Sequence, residues 1–423
     1  MRRLYSALMY VASPVAYAIV LWRGLRNRRY WEALSERFGF GKTYASPTIW
    51  VHAVSLGEVT AAAPLIRALR TRHPQCSLIL TTATPTGRAR AQALFGDSIA
   101  VRFLPYDLPG SMRRFVDRVN PRVAVIMETE LWPNLFDQCR RRGVPVVLAS
   151  ARLSPKSVAR YRTFGALFRP VFAGGPLVAA QSAEDAERFI AIGADRSKTH
   201  VIGNVKFDVD IDPAVVQRGV ELRAAILSSR PVWIAGSTHA GEEELVLNAH
   251  AELKTQIPGA LLLLVPRHPR RFHSVAELLN RRGVRFERRS SSRLMPAAAL
   301  PPELPVLLVD TVGELTMLYA AADVAFVGGS LIPVGGHNLL EPAALGLPVI
   351  TGPYQANSAD IARVLLEQGA AVQVADARQL TDALLGLFAD PARRAWMGEC
   401  GRRAVEANRG SVARLLALIE PCL

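Results

Sequence analysis

Lysine is scarce in this chain of 423 residues: it occurs at five positions, and arginine supplies the rest of the 51 basic residues. Acidic residues number 36, so the formal net charge is +15. This excess suggests anionic partners such as nucleic acid, an acidic membrane face or phosphorylated substrates, without choosing among them. Cysteine is equally rare. Cys76, Cys139, Cys400 and Cys422 lack the spacing of a metal site or a disulfide framework, so reduced thiols are expected.

Several signatures of nucleotide and metal chemistry are missing. The sequence contains no P-loop, no GxGxxG fingerprint, no HExxH and no paired CxxC, which argues against an ATPase, a dehydrogenase or a zinc enzyme. The eight histidines do not cluster at metal-ligand spacing, so neither a metal nor a cofactor is expected. We interpret His52, His239 and His337 as loop or structural residues, with His337 the best placed to contact a ligand.

One long uncharged run, residues 4–22, predicts a helix near the start of the sequence. Such a helix would be about 28 Å long, close to the roughly 30 Å hydrocarbon thickness of a bilayer. Arginines flank the run more heavily on its C-terminal side, which favours a cytoplasmic location for the residues that follow. We therefore predict a membrane anchor over residues 1–22. Whether it spans the bilayer or lies along it stays open, and a buried core helix is the alternative.

After residue 47, short β-branched runs alternate with helical patterns in two series. This predicts an α/β protein with two Rossmann-like parallel sheets, covered by helices and separated by a cleft. We expect domains at 23–210 and 231–423, joined by a linker at 211–230, and a surface loop at 287–305. The predicted strands are 49–53, 77–82, 123–127, 144–149, 177–180 and 200–203, then 232–236, 261–265, 306–310, 323–329 and 348–351.

Carboxylates follow two strands of the first series, and ligands bind at the carboxyl ends of parallel strands. Ser55 and Glu58 have capping-box spacing, so Glu58 either caps a helix or accepts a proton from a sugar hydroxyl as a general base. Glu128 and Glu130 follow the strand 123–127, where each is either a site residue or a solvated loop residue. Lys206, near the domain junction, either faces an anionic substrate or is a surface lysine.

Glycine and small polar residues follow the strands of the second series. The turn 237–241 precedes a helix whose free N–H groups would suit a phosphate. Arg267 places a guanidinium at another strand tip, where its fork matches phosphate or carboxylate. Asn338 is expected to begin a helix with Glu341 three positions on, so Glu341 either caps that helix or accepts the hydroxyls of a ribose. The second half is therefore predicted to bind a nucleotide.

These residues lie within motifs that resemble those of the 3-deoxy-D-manno-octulosonic acid (Kdo) transferases of Gram-negative bacteria. The resemblance runs over nearly the whole chain, and ETELWPN and GGHN…EP are its most specific parts. The shared motifs are HAVSLGE (52–58), TPTG (84–87), LPYDLP (104–109), METELWPN (127–134), ARLS (151–154), GNVKFD (203–208), GSTHAGEE (236–243), VPRHPRRF (265–272), VGEL (312–315), FVGGSL (326–331) and GGHNLLEPAA (335–344).

The resemblance implies a GT-B fold and inverting transfer of Kdo from CMP-Kdo to lipid IVA, the lipid A precursor, in lipopolysaccharide synthesis. It implies a location at the cytoplasmic face of the inner membrane. It also implies Glu58 as the general base, assisted by Glu128 and Lys206. Together with the residue patterns, it gives these candidate donor contacts: Ser237, Thr238, Pro266, Arg267, Val312, Gly313, Glu314, Gly336, His337, Asn338, Leu339, Leu340 and Glu341.

Two other functions compete with this one. The chain can be a GT-B relative that acts on another nucleotide sugar, such as an epimerase, although such an enzyme needs no membrane anchor. It can also be a basic, membrane-tethered binding module without activity. Its positive charge is scattered without interleaved aromatic platforms, so nucleic acid is not an expected partner. The number of Kdo residues transferred and the oligomeric state stay open.

Overall fold

The structure is a computed structural model that describes residues 1–227, 230–291, 300–301 and 303–423. Its chain divides into two compact units. Unit 1 comprises Met1–Asp208 and Asn408–Leu423, and unit 2 comprises Val209–Ala407. The C-terminal residues 408–423, which we expected in the second domain, therefore belong to unit 1.

Unit 1 is built on a seven-stranded parallel sheet with the order β3-β2-β1-β4-β5-β6-β7. The strands are β1 Thr48–His52, β2 Ser77–Thr82, β3 Ala100–Phe103, β4 Pro121–Met127, β5 Val146–Ala151, β6 Leu177–Ala180 and β7 Thr199–Val201. The helices that precede and connect them are α1 Arg2–Arg26, α2 Leu56–Arg72, α3 Pro85–Phe95, α4 Pro109–Val119, α5 Pro133–Arg141, α6 Pro155–Thr163, α7 Gly165–Phe172 and α8 Ala183–Ala191. Short 3-10 turns lie at Arg28–Trp31, Leu34–Phe38, Gly96–Ser98, Arg196–Lys198 and Val205–Phe207.

Both faces of this sheet are buried, because side chains of successive strand residues point to opposite faces. In β1, Ile49 and Val51 join the core beneath α2, whereas Trp50 joins the core on the other face with Phe115 of α4. The Trp50 indole N–H donates to the Thr81 hydroxyl at 2.8 Å, so its one polar atom is satisfied inside the core. Apolar residues on every position of a strand are typical of a parallel sheet covered on both sides.

Unit 2 repeats this plan in a second seven-stranded parallel sheet, with the order β10-β11-β9-β8-β12-β13-β14. The strands are β8 Val232–Thr238, β9 Leu261–Pro266, β10 Phe286–Arg288, β11 Val306–Leu308, β12 Val324–Val327, β13 Val349–Thr351 and β14 Ala371–Gln373. The helices are α9 Pro213–Leu222, α10 Glu242–Gln256, α11 Phe272–Arg281, α12 Leu315–Ala320, α13 Leu340–Leu345, α14 Ala359–Glu367, α15 Ala377–Ala389 and α16 Pro391–Asn408. A 3-10 turn lies at Pro269–Arg271.

The stretch expected to link the domains is largely helical and belongs to unit 2. The helix α9 continues as a π-helix over Arg223–Leu227, and residues 228 and 229 lie outside the described residues. Gly219 allows α9 to approach α12, because a Cβ at this position would lie 2.4 Å from the Met317 carbonyl oxygen. The stretch is thus a packed element and not an extended connection.

Residues 287–305 also differ from the loop that we expected. Their first two residues end the edge strand β10, which pairs with β11. Arg288 and Arg289 form ion pairs with Asp310 at 3.3 Å and with Glu314 at 3.1 Å, so two charged side chains tie this edge to the end of β11. Residues 292–299 and 302 lie outside the described residues.

The last helix, α17 Ser411–Ile419, explains why the end of the chain belongs to unit 1. Leu415, Leu416 and Ile419 are buried in the same core cluster as β1 and α2. The Asp208 carboxylate accepts hydrogen bonds from the backbone N–H groups of Gly410, at 2.6 Å, and Val412. Apolar burial and a charged cap thus fix α17 to unit 1.

The N-terminal helix α1 contacts unit 1 along one side. Tyr5 donates to the Asp107 carboxylate at 3.0 Å, Ser6 donates to Asn134 at 3.0 Å, and the Tyr17 ring packs edge-on against Phe38. The opposite side is exposed and apolar. The large exposed side chains of α1 are Leu4, Leu8, Tyr10, Val11, Val15, Ile19, Leu21, Trp22 and Leu25. By length and composition, α1 is apolar enough to cross a membrane.

Candidate functional site

Each sheet has a point where the connections that leave two neighbouring strands run in opposite directions. In unit 1 this switch point lies between β1 and β4, and in unit 2 it lies between β8 and β12. Ligands of open α/β sheets bind beyond the carboxyl ends of the strands at such points. A binding or catalytic site is therefore expected at the loops that follow these four strands.

Glu58 lies in the first turn of α2, directly after β1. The capping interpretation is confirmed, since the carboxylate accepts hydrogen bonds from the Val54 N–H at 2.8 Å and from the Ser55 hydroxyl at 3.0 Å. The side chain is half-buried, and burial raises its pKa, with the negative charge of Glu128 adding to the rise. The two hydrogen bonds and the Lys206 charge oppose that rise. Capping leaves lone pairs on both oxygens, so it does not prevent Glu58 from accepting a proton.

Glu128 and Lys206 form an ion pair beside Glu58. Their Oε1 and Nζ atoms are 3.3 Å apart, and each side chain is about a quarter exposed. Glu128 has a φ of +54°, a conformation that is uncommon for a non-glycine residue, and its N–H is held by the Ala149 carbonyl at 2.9 Å. Such strained residues cluster at functional sites. The structure thus brings together the three catalytic candidates that the sequence analysis named.

Glu130 is a third carboxylate in this cluster, and the sequence analysis did not choose it as a site residue. Its carboxylate accepts a hydrogen bond from the Trp132 indole N–H at 2.6 Å. Burial raises the pKa of Glu130 to about 7, and the charges of Glu58 and Glu128 add to this rise. Glu130 therefore takes up or loses a proton near neutral pH. The available signal was the pair of glutamates two residues apart at a strand end.

Two histidines meet at the switch point of unit 2. His239 follows β8 and His337 follows β12, and their Nε2 atoms are 2.7 Å apart with the rings stacked. His268, from the loop after β9, packs edge-on against His239. Burial lowers the pKa of His337 to about 4 and also lowers that of His239, with neighbouring cationic groups adding to both effects. Both rings are therefore neutral at pH 7, and one donates the hydrogen bond that the other accepts.

Glycines let the backbone fold tightly around this pair. Gly329, Gly335 and Gly336 all have positive φ. The N–H groups of Gly335 and Gly336 both donate to the Gly329 carbonyl, at 3.1 and 2.7 Å. A Cβ on Gly329 would lie 2.9 Å from the His337 ring, so no side chain fits there without displacing the histidine.

The turn 237–241 is less suited to a phosphate than the sequence suggested. The helix α10 begins with three consecutive glutamates, Glu242, Glu243 and Glu244, whose charges oppose an anion at the helix start. Glu242 and Glu243 have no exposed surface. Thr238 is also fully buried, and its hydroxyl donates to Glu243 at 3.4 Å. The positive groups nearby are instead side chains from the loop after β9.

Several predicted donor contacts are buried by the fold. Leu339 and Leu340 are core residues, so only their backbone atoms remain for a ligand. The helix α13 begins at Leu340 and not at Asn338, because Asn338 uses its side-chain oxygen to accept the Leu340 N–H at 3.0 Å. The Glu341 carboxylate accepts hydrogen bonds from the side chains of Asn338, at 3.0 Å, and Thr316, at 3.2 Å.

Other predicted contacts are reachable. Arg267 is exposed, and its N–H is anchored by the Thr238 carbonyl at 3.0 Å. Val312 is 76% exposed and Gly313 has a φ of +89°, so the turn after β11 projects from the sheet. By contrast, Ser237, with a φ of +61°, and Pro266, which ends β9, are both buried. Within the described residues, no cluster of three or more His, Cys, Asp or Glu side chains has metal-binding geometry.

Comparison with known proteins gives consistent matches. A family described as 3-deoxy-D-manno-octulosonic-acid transferase (kdotransferase) matches residues 32–209. A 3-deoxy-D-manno-octulosonic acid transferase of Haemophilus influenzae is 40% identical over 427 residues, covering 100% of this chain and 99% of that protein. A protein of the same name from Bordetella pertussis is 41% identical over 425 residues, covering 97% of each.

Two solved structures share the fold at low identity. UDP-GlcNAc 2-epimerase from Neisseria meningitidis gives a TM-score of 0.58 with 13% identity, covering 88% of this chain and 100% of its own. A glycotransferase of kitacinnamycin gives a TM-score of 0.52 with 16% identity, covering 90% of this chain and 100% of its own. At these identities the likeness concerns the fold alone, and it confirms the predicted GT-B class.

Proposed function

The chain belongs to the family of Kdo transferases, and from this premise we propose that it transfers Kdo from CMP-Kdo to lipid IVA with inversion at the anomeric carbon. The chain is thus a glycosyltransferase, and Kdo transfer in lipopolysaccharide synthesis is the activity that its relatives support. The acceptor, the stereochemistry and the residue roles below are our proposal. The observation that carries it is the half-buried carboxylate of Glu58 at the switch point of unit 1.

Glu58 is the general base in this proposal. It removes the proton from a hydroxyl of the acceptor while the hydroxyl oxygen forms a bond to the anomeric carbon of Kdo. The bond between that carbon and the phosphate oxygen of CMP breaks, and CMP leaves with the electron pair. Attack opposite to the leaving group inverts the centre. The raised pKa of Glu58 suits a base that must hold this proton, because a higher pKa makes the carboxylate more basic.

Glu128 and Lys206 act on the charges that develop during transfer. The transition state carries positive charge on the sugar, which the carboxylate of Glu128 can stabilise. Lys206 can hold an anionic group of the donor, such as the Kdo carboxylate. Their 3.3 Å ion pair keeps both groups in place before substrate binds, which is the preorganisation that electrostatic catalysis requires.

Unit 2 binds the CMP part of the donor in this proposal. Arg267 and the one imidazole N–H of the histidine pair that is not used between the two rings offer donors to the phosphate, and Arg267 also offers a charge. We place the phosphate near these side chains and not at the start of α10, because Glu242, Glu243 and Glu244 oppose an anion there. Glu341 and the turn 312–314 remain the proposed contacts of the nucleoside.

The helix α1 anchors the protein to the cytoplasmic face of the inner membrane in this proposal. Its exposed stripe includes Leu8, Val11 and Val15, each at least 60% exposed. The opposite side keeps its hydrogen bonds from Tyr5 and Ser6 to unit 1. A helix that lies in the plane of the interface can bury the stripe and keep these contacts, so we favour this arrangement over a span.

Mass spectrometry of lipid IVA after incubation with purified protein and CMP-Kdo tests the activity directly. Addition of one or more Kdo masses is expected, with release of CMP. The anomeric configuration of the product, determined by NMR, tests inversion. The proposal fails if lipid IVA is unmodified while a uridine-linked sugar is consumed in a parallel reaction.

A further inference from the structure

Glu242 is a fully buried carboxylate that the proposed chemistry does not use. It is the first residue of α10, and it accepts four hydrogen bonds from backbone N–H groups. Oε2 accepts from Gly329 at 2.7 Å and from His239 at 3.3 Å, while Oε1 accepts from Ser330 at 3.1 Å and from Leu331 at 3.0 Å. A buried charge with this many donors is satisfied, whereas an unpaired one would be strongly destabilising.

Helix capping does not account for these bonds. A capping glutamate binds N–H groups within a few residues of its own position. Three of the four donors to Glu242 instead come from residues 329–331, which lie 87 to 89 positions away in the sequence. They belong to the loop after β12, on the far side of the switch point from α10. The carboxylate therefore joins the two loops between which the donor site is expected.

The loop held by Glu242 leads directly to the histidine pair. The Gly329 carbonyl accepts the N–H groups of Gly335 and Gly336, and His337 follows at once. The Nε2 atoms of His337 and His239 are 2.7 Å apart, and the backbone N–H of His239 donates to the Glu242 carboxylate. Glu242 and the histidine pair thus close a ring of contacts across the switch point.

The next residue, Glu243, connects a third loop to the same helix start. Its carboxylate forms an ion pair with Arg271 at 3.0 Å and accepts the Thr238 hydroxyl at 3.4 Å. Arg271 lies in the loop after β9, which also carries Arg267 and His268. Two adjacent buried glutamates therefore hold the loops that follow β8, β9 and β12.

We infer that Glu242 is a positioning residue of the donor site: its carboxylate sets the spacing between the loops after β8 and β12 that bind a nucleoside monophosphate. This inference rests on the proposed function, because it takes CMP to bind at these loops. Glu242 itself does not touch the donor, since it has no exposed surface.

Glu242→Gln in the full chain tests the inference. Glutamine has one acceptor oxygen in place of two, and its NH₂ group would face backbone N–H donors, so the loops must separate. We expect the Kd for CMP, measured by isothermal titration calorimetry in detergent, and the KM for CMP-Kdo to rise at least about tenfold, the size of one lost hydrogen bond to a charged group. The KM for lipid IVA should stay within about twofold.

Asp185→Asn is the matched control. Asp185 is a buried carboxylate of unit 1 that accepts the Leu153 N–H at 2.9 Å and the Ser182 hydroxyl at 3.0 Å. Its loss should lower the melting temperature as much as the loss of Glu242, yet leave the Kd for CMP unchanged. Equal weakening of CMP binding in both variants would indicate general destabilisation and overturn the inference.

Two further measurements keep the inference testable if Glu242→Gln does not fold. A Cβ on Gly328 would lie 2.7 Å from both Oε2 of Glu242 and the Ser237 carbonyl oxygen, so Gly328→Ala should push the loops after β8 and β12 apart and weaken CMP binding. In the wild-type chain, amide hydrogens of residues 329–331 should exchange as slowly as those of β12. Fast exchange there contradicts the inference.

The outcomes separate this inference from the proposed function. If the wild-type chain binds no CMP, the proposed donor site fails and the inference fails with it. If the wild-type chain binds CMP and folded Glu242→Gln binds it equally well, only the positioning role of Glu242 is refuted.

Discussion

The helices α2 and α10 occupy the same place in their units, each following the first strand of its sheet, yet they use their first glutamates in opposite ways. The Glu58 carboxylate of α2 accepts hydrogen bonds from Val54 and Ser55 at its own helix start and remains partly exposed. Glu242 of α10 is fully buried and bonds to a loop on the other side of the switch point. Glu58 can therefore exchange a proton, whereas the carboxylate of Glu242 has a structural role. Solvent exposure and hydrogen-bond partners, and not position in the fold, therefore distinguish a reactive carboxylate from a structural one.

Glu58→Gln should produce the largest effect, because it removes the proposed base but keeps a capping side chain. We expect kcat to fall about 10²–10⁴-fold, the usual contribution of a general base, with little change in melting temperature or in CMP binding. A radiolabelled-transfer assay and calorimetry measure these quantities. Glu184→Gln, in the first turn of α8, is the control and should keep full activity. Near wild-type turnover in Glu58→Gln would place Glu58 with Glu242 as a structural residue.

Lys206→Ala should have the next largest effect, with a loss of about 10²-fold in kcat, typical of removing one group that stabilises charge in the transition state. The pH profile gives a sharper test. The Lys206 charge lowers the pKa of Glu58, so its removal raises that pKa further. A base works only when ionised, and the acid limb of kcat/KM should therefore move to higher pH. Lys198→Ala, an exposed lysine bonded to the Gly175 carbonyl, should leave the profile unchanged.

Arg267→Ala should weaken donor binding about tenfold, in line with the loss of one charge-assisted hydrogen bond. The expected change is in the KM for CMP-Kdo, measured by steady-state kinetics, with the KM for lipid IVA unaltered. Arg270→Ala, an exposed neighbour in the same loop, is the control. An equal effect of both substitutions would mean that general positive charge, and not a specific contact, attracts the donor.

Glu130→Gln should give the smallest effect, visible in stability. The pKa of Glu130 rises from 4.5 to about 7 in the folded chain, so the proton that it binds stabilises the fold at low pH. That stability is present below about pH 4.5 and is lost as pH rises through 7. The melting temperature of wild type should thus fall relative to that of Glu130→Gln between pH 5 and pH 8. After allowance for solvent screening, the free energy of unfolding of wild type should fall by about 1–2 kcal/mol relative to that of Glu130→Gln over this pH range. A constant difference would contradict the raised pKa.

The sequence predicted the central strands of both sheets and the edge strand β7, and it missed the other three edge strands. The strands β3, β10 and β14 are all edge strands, with three or four residues each, and each is partly exposed. A short strand that is partly exposed to solvent lacks the continuous apolar run by which buried parallel strands are detected. The core strands were found because both of their faces are covered.

Site prediction followed the same rule. Glu58 and Glu128 became candidates because each follows a strand end, and Lys206 because it lies near the domain junction. Their catalytic roles came from the family resemblance. The contact between His239 and His337 joins residues 98 positions apart, and no spacing rule connects them. Glu242 was not chosen as a candidate, since its partners at 329–331 become neighbours only when β12 pairs with β8. Contacts made by sheet topology are the part that local patterns do not contain.

The packing of α17 on unit 1 bears on how the protein is made. A ribosome releases residues 1–208 long before residues 408–423, and the whole of unit 2 is synthesised in between. Leu415, Leu416 and Ile419 fill the core beneath α2, so this part of the core stays uncovered in the nascent chain until α17 has been synthesised. Completion of the unit that carries Glu58 therefore waits until all of unit 2 has been translated.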